Sequence, residues 1–360
     1  MKKIISVILV LSMAIGLLTG CGATMDEINK DTNVVVATIG NQNIYAYELI
    51  YLMKMGYTKE QALEEFQTIK TLVEKAGENK IELNADDIAN VDKQLEDASA
   101  QFESKEAFEE DIKNYGLNLD QYKEILKMLA LCDKFSAEFE NLKLIETTDE
   151  ETAIAFYNNN FLSAKHILIS TVDENQSPLP AEEVTKKKAQ AEEIVAKIKA
   201  GADFESFYNL SEDPGSKANP EGYTFLNTGS ETLKDNEMMI SMFQQTGAPI
   251  MVPEFEQGTA ALAEGEVSGI VESDYGYHII KRLPLPAEGE EVEQLKSLII
   301  YVVDNVKYNG IVEGWKAELN QKTNKYYEVL EVEPYTPPAQ TEAQPEVEVQ
   351  PEEANTAEAE

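Results

Sequence analysis

The sequence predicts an α+β protein in which a compact sheet-containing domain is inserted between two mainly helical segments. Three observations carry this reading. Residues 45–142 read almost throughout as short amphipathic helices with capped starts. Residues 163–282 begin on Ser163-Ala164-Lys165-His166-Ile167-Leu168-Ile169 and end on Tyr275-Gly276-Tyr277-His278-Ile279-Ile280-Lys281, two apolar runs that read as buried strands. Residues 291–319 then return to one long amphipathic helix.

The chain starts with Met1-Lys2-Lys3, and residues 4–18 are apolar apart from Ser6 and Ser12. This is a signal-peptide core, too short and wrongly flanked for a membrane span. It ends in Leu18-Thr19-Gly20-Cys21-Gly22, which resembles the lipobox of bacterial lipoproteins. That resemblance implies cleavage after Gly20, a thioether diacylglycerol on Cys21 and often a further acyl chain on the new amino terminus, enough to anchor the protein stably. Plain secretion, with Cys21 incidental, is the alternative. Residues 22–33 are polar and read as a flexible tether. Val34-Val35-Val36-Ala37-Thr38-Ile39, the turn formers Gly40-Asn41 and a short return to Ile44 read as a strand or hairpin.

Helices follow. Leu49, Leu52 and Met53 recur at helical spacing; so do Phe66, Ile69, Leu72 and Val73. Asn84 and Ser104 are N-cap residues for two more helices, and Gly116 stops the second. Asp149 caps a helix leading into the first apolar strand. In residues 291–319, Leu295, Leu298, Ile299, Val302 and Val306 make an apolar stripe that cannot stand alone. It is expected to pack back on the amino-terminal helices, and Tyr326-Tyr327-Glu328-Val329-Leu330 to form a strand beside residues 34–39. Beyond Glu333 the chain is Pro, Glu, Gln, Ala and Thr, a composition expected to be disordered. The expected organisation is a signal peptide at 1–20, a tether at 21–33, a helical module at 34–160, the inserted domain at 161–284, a returning helix and strand at 285–332, and an acidic tail at 333–360.

The formal net charge of −36 excludes nucleic acid as a partner, because phosphates would be repelled. Two cysteines, Cys21 and Cys132, do not make a disulfide framework; Cys132 lies in an apolar helical run and reads as a core residue.

Inside the inserted domain both histidines of the chain, His166 and His278, sit in strands. Between them come the turn Ser211-Glu212-Asp213-Pro214-Gly215-Ser216 and then Met251-Val252-Pro253-Glu254-Phe255, which puts Met251 and Phe255 on one face of a helical turn. These four motifs, in this order over about 120 residues, resemble the parvulin family of peptidyl-prolyl cis–trans isomerases. The flanking segments resemble the extracytoplasmic foldases and chaperones of that family. The resemblance implies a role for His166 and His278 as facing imidazoles at the floor of the site, for Asp213 beside the reacting amide, and for Met251 and Phe255 as the clamp on the proline ring. Tyr275 is expected to line the site. Where the family has Gly-Gly-Asp-Leu-Gly this chain has Glu221-Gly222-Tyr223-Thr224-Phe225, and Thr224 is expected in the wall of the pocket, making it more polar. Residues 228–250 are longer than the family's usual link and read either as a Met-rich lid or as an extra helix packed on the domain.

The reaction breaks no bond, so no cofactor and no metal are needed. Its barrier of about 18–20 kcal/mol is amide resonance, and a catalyst must favour the twisted amide over both planar forms. No basic cluster suits a phosphate, so phospho-Ser-Pro selectivity is not expected. The resemblance implies a foldase on the outer face of a bacterial cell membrane, acting on unfolded or newly secreted polypeptides; a homodimer is compatible with the sequence. The alternatives are a holding chaperone with little catalysis and a solute-binding lipoprotein, the latter opposed by the ordered motifs.

Overall fold

The computed structural model describes residues 23–336. Cys21, the signal peptide and residues 337–360 of the acidic tail lie outside the described residues. In chain order the elements are α1 (Met25–Lys30), β1 (Val35–Ile39), β2 (Gln42–Tyr45), α2 (Ala46–Lys54), α3 (Lys59–Glu78), α4 (Ala85–Ser99), α5 (Lys105–Asn114) and α6 (Leu119–Ala137). Then come α7 (Glu150–Asn160), β3 (Phe161–Ser170), α8 (Ala181–Lys199), α9 (Glu205–Tyr208), α10 (Pro214–Ala218), β4 (Tyr223–Leu226), α11 (Glu237–Gln245) and α12 (Pro253–Ala260). The last are β5 (Val267–Ser273), β6 (Gly276–Leu283), α13 (Glu290–Glu318), β7 (Gln321–Thr323) and α14 (Lys325–Val329). The chain is α+β, and its described residues divide into two compact units: 23–135 with 316–336, and Ser136–Trp315.

In the first unit, β2, β1 and β7 form a three-stranded antiparallel sheet. The strand that joins β1 is therefore Gln321–Thr323 and not residues 326–330. Asn324 accepts a hydrogen bond from the Tyr326 N–H and starts α14 at the place where the sequence suggested a strand. The stretch expected as a tether holds α1, seated by a wholly buried Ile28 with Ala23 buried and Met25 half-buried beside it in sequence. The helix starts follow the capping chemistry. Asn84 accepts from the Asp86 and Asp87 N–H groups while the Asp87 carboxylate accepts from the Asn84 N–H, and Ser104 accepts from the Ala107 N–H. Gly116 has φ +79°, and a Cβ there would lie 2.4 Å from Ile50 Cγ2, so only glycine ends this turn. Glu48, fully buried, accepts from the Tyr45 N–H and pairs with Lys70 at 2.6 Å. Tyr51, Met55, Phe102, Phe108, Tyr115 and Tyr122 line an aromatic cleft of about 240 Å³. Cys132 is buried beside the Ile69 carbonyl.

In the second unit, the antiparallel sheet has the order β4-β3-β6-β5. One face, with Ile167, Ile169, Tyr277 and Ile279, packs against Ala191 and Ile194 of α8 and against Phe204. The other face, with Leu162, Ala164, Phe225 and Ile280, is covered by Phe255 of α12. A third core joins Tyr157 of α7 and Phe161 of β3 to Met239 and Phe243 of α11 and to Val292, Leu295, Ile299 and Val302 of α13. This settles two expectations. Residues 228–250 hold an extra helix packed on the domain, capped by Asn236 on the Met239 N–H. The apolar stripe of α13 packs, as expected, on the helical module that precedes the inserted domain, meeting Ala153 and Tyr157 of α7, and it also meets Met239 and Phe243 of α11. The last turn of α13 belongs to the first unit, where Lys316 and Glu318 pair with Glu64 and Lys75 of α3.

Candidate active site

Strand register alone brings the two imidazoles together. In the β3–β6 ladder His166 stands opposite Ile280, and His278 stands opposite Leu168. The histidines are thus diagonal neighbours on one face of the sheet, within reach of each other's rings. Their Nδ1 atoms are 3.0 Å apart and their rings are nearly parallel, with an interplanar angle of 13°. Both residues are buried.

Asp213 is the N-cap of α10, where its Oδ1 accepts from the Gly215 N–H at 3.0 Å. Pro214 at the first helical position fixes the turn. This places Oδ2 at 2.9 Å from His166 Nε2, 2.9 Å from Ser216 Oγ and 2.6 Å from the Tyr223 hydroxyl. At the other end of the chain of contacts, His278 Nε2 lies 2.7 Å from Ser273 Oγ, which also accepts from the Tyr275 N–H. Ser273 and Gly276 flank the two-residue turn between β5 and β6. Gly276 has φ +137°, and a Cβ there would meet the Ile169 carbonyl at 2.4 Å, so the turn that aims Ser273 at His278 depends on glycine.

Electrostatics fixes two charge states in this network. Burial disfavours an Asp213 anion, but the hydrogen bonds from His166, Tyr223 and Ser216 outweigh it and hold the carboxyl well below the usual range. Burial, and then the neighbouring His166, push His278 down to about 4, so it is neutral at pH 7. With an anion at Asp213, His166 donates from Nε2, and the neutral His278 shares one proton with it across the Nδ1 pair, while its Nε2 bonds the Ser273 hydroxyl. The contacts run unbroken from Ser273 to Asp213.

Phe255 lies edge-on to both imidazoles, with ring centroids 5.0 Å from His166 and 5.6 Å from His278. Met251 packs beside it. His166, Asp213, Tyr223, Met251, Phe255 and His278 open on a groove of about 1000 Å³, with Tyr275 exposed at its edge. Thr224 is not in that wall. It is buried on β4 opposite Ser163, while Tyr223 and Phe225, one residue to either side, share the groove face. Strand alternation makes the difference: a shift of one residue changes the face.

Sequence reasoning therefore singled out His166, Asp213, His278, Met251, Phe255 and Tyr275, and the fold brings these six to one groove. It missed Tyr223, Ser216 and Ser273. The phase of β4 would have found Tyr223, since Phe225 is the buried aromatic of the same face. Ser216 sits in the same turn as Asp213, but nothing in its spacing marks it. Among the described residues, no group of three or more His, Cys, Asp or Glu side chains is placed to hold a metal ion, and no helix is long and apolar enough to cross a membrane.

The family model for the PPIC-type PPIASE domain matches residues 142–283, beginning before β3 and taking in α7. The foldase protein PrsA of Staphylococcus aureus (strain bovine RF122 / ET3-1) is 26% identical over 300 residues, covering 83% of this chain and 82% of its own. The foldase protein PrsA of Clostridium botulinum (strain Hall) is 27% identical over 285 residues, 74% of this chain and 73% of its own. Among solved structures, the PrsA peptidylprolyl isomerase of Bacillus cereus aligns with 83% of this chain and 98% of its own at 22% identity, with a TM-score of 0.38. Residues 142–283 are thus a parvulin-type peptidyl-prolyl cis–trans isomerase domain, carried by a chain that is distantly homologous to PrsA foldases over most of its length.

Proposed function

We propose that this PrsA-like foldase is anchored by lipid on Cys21 to the outer face of the cell membrane, isomerises X–Pro bonds in secreted polypeptides at the His166–His278 groove, and holds unfolded chains with its helical module. The observation that carries the reading is the continuous network from Ser273 through both histidines to Asp213, set beneath a groove walled by Phe255, Met251 and Tyr223.

In this reading Phe255 and Met251 take the proline ring into apolar surroundings and strip water from the amide. Losing water matters because the planar amide is better solvated than the twisted one, so a dry pocket favours the twisted form. His166, donating to Asp213, presents a fixed polar group beside the amide and needs no proton transfer. Catalysis then rests on fixed polar groups that suit a rotated carbonyl better than a planar one. The aromatic cleft of the first unit, lined by Tyr51, Phe102, Phe108, Tyr115 and Tyr122, favours the holding activity, since large apolar side chains of an unfolded client fit such a surface.

The test is NMR exchange spectroscopy on Ala-X-Pro peptides with the full mature chain. Cis–trans exchange is expected with the wild-type protein and is expected to fall about 10- to 100-fold in Asp213→Ala, the loss of hydrogen bonds to a charged group. Absence of exchange with every peptide would move the function to the helical module and leave a holding chaperone.

A further inference from the structure

The Tyr223 hydroxyl makes the shortest contact in the network, 2.6 Å to Asp213 Oδ2. Its backbone stands opposite Ala164 on β4, two residues before His166 on the neighbouring strand, so its ring points across the groove face towards α10. Gly215 makes room for it: a Cβ at that position would lie 2.5 Å from the phenol oxygen and 3.2 Å from Asp213 Oδ2. The ring walls the groove while its tip is fixed on the carboxylate.

We propose that Tyr223 is a positioning residue of the isomerase site, whose hydroxyl locks the Asp213 carboxylate in line with His166 and thereby fixes a proton on the His166 nitrogen that faces it. This rests on the reading of the groove as the isomerase site. Without the phenol, Oδ2 would keep only His166 and Ser216 as partners, with Oδ1 on the Gly215 N–H. Burial of the phenol, and then its bond to the anion, raise the Tyr223 pKa, so the hydroxyl stays a donor throughout the physiological range. The charged and titratable groups around Asp213 are His166 on β3, His278 on β6, Tyr208 on α9 and Tyr223 on β4. The adjacent Glu212 is already engaged by Lys187 of α8 and by the Ser170 N–H. None of these can replace the donor that Tyr223 supplies.

The experiment has two readouts on the full mature chain. The first is the titration of the Asp213 carboxyl carbon by NMR, which is independent of activity. In Tyr223→Phe its midpoint is expected to rise by about one pH unit, the tenfold weakening that loss of one charge-assisted bond implies. Gly215→Ala, which pushes the phenol away while keeping it, is expected to shift it in the same direction. The second readout is X–Pro exchange against pH. In Tyr223→Phe kcat falls about tenfold with KM within twofold, since the ring still walls the groove, and the acid limb moves up by about one unit. In an Asp213→Asn background the same change has no further effect. An Asp213 midpoint that is unmoved in both folded variants overturns the proposal, and so does an equal loss of kcat with and without Asp213. If the wild-type chain catalyses no exchange, the isomerase reading fails on its own, and the carboxyl titration still decides whether Tyr223 holds Asp213.

Discussion

His166 and His278 face each other through their Nδ1 atoms at 3.0 Å, and a single proton lies between them. A second proton there would set two N–H donors against each other beneath buried Phe255. The pair is therefore stable only while His278 remains neutral.

This makes the second unit acid-labile. His278 titrates at about 4 when folded and at about 6.5 when unfolded. Below pH 6.5 the unfolded chain binds a proton that the folded chain refuses, so stability is full above pH 6.5 and is lost as pH falls towards 4. The loss is about 2–3 kcal/mol by linkage. Asp213, whose pKa is depressed by its hydrogen bonds, works in the same sense at still lower pH. Urea unfolding followed on the Ile279 and Ile280 methyl signals should show a lower midpoint at pH 4.5 than at pH 7, and His278→Gln should flatten the difference. Equal wild-type midpoints would remove the neutral buried histidine from the account.

Phe255 serves both the core and the groove. It is 3% exposed, packs on Phe225 at 5.6 Å and closes over both imidazoles. Phe255→Ala should cost about 3–5 kcal/mol. Phe255→Leu should keep the fold at a smaller cost and raise KM for X–Pro peptides while leaving the Asp213 titration in place. A Leu variant with unchanged KM would take Phe255 out of the substrate contact.

The groove carries Asp173, Glu174, Glu183 and Glu212 along one side, with Lys187 already paired to Glu212. A client with Lys or Arg near its proline should exchange faster than one with Glu or phosphoserine there. The difference should shrink as salt is raised, because exposed charges are screened over about 10 Å at 0.1 M. A preference that ignores ionic strength would point to shape rather than charge.

Cys21→Ser should release the protein from the membrane fraction, since one residue would carry the acyl chains. A mutant that stays with membranes at wild-type level would end the anchor assignment.

Much of this fold is written locally. Asn84 and Ser104 announce helix starts by their own side chains, and they cap as expected. His166 and His278 are legible because each sits in a β-branched run, and two such runs in one domain pair readily. What is not legible is anything that depends on phase or partner. Thr224 and Tyr223 differ by one residue, and only the β3–β4 register decides which faces the groove. The stripe Val292, Leu295, Ile299 and Val302 declares an apolar face but not its partner, which proved to be Phe243 and Tyr157. Ser273 is a polar residue at a turn, indistinguishable by sequence from any other until the hairpin aims it at His278.

The burial of Cys132 has a bearing on the company this protein keeps. Burial, and then the adjacent Asp133, push its thiol up to about 12, and the side chain is closed off beside the Ile69 carbonyl. If Cys21 carries the proposed lipid, no thiolate is left on the chain at neutral pH to attack a client's half-formed disulfide. On the proposed outer-face location, where client cysteines are being oxidised, such a chain would release its clients without a mixed-disulfide trap.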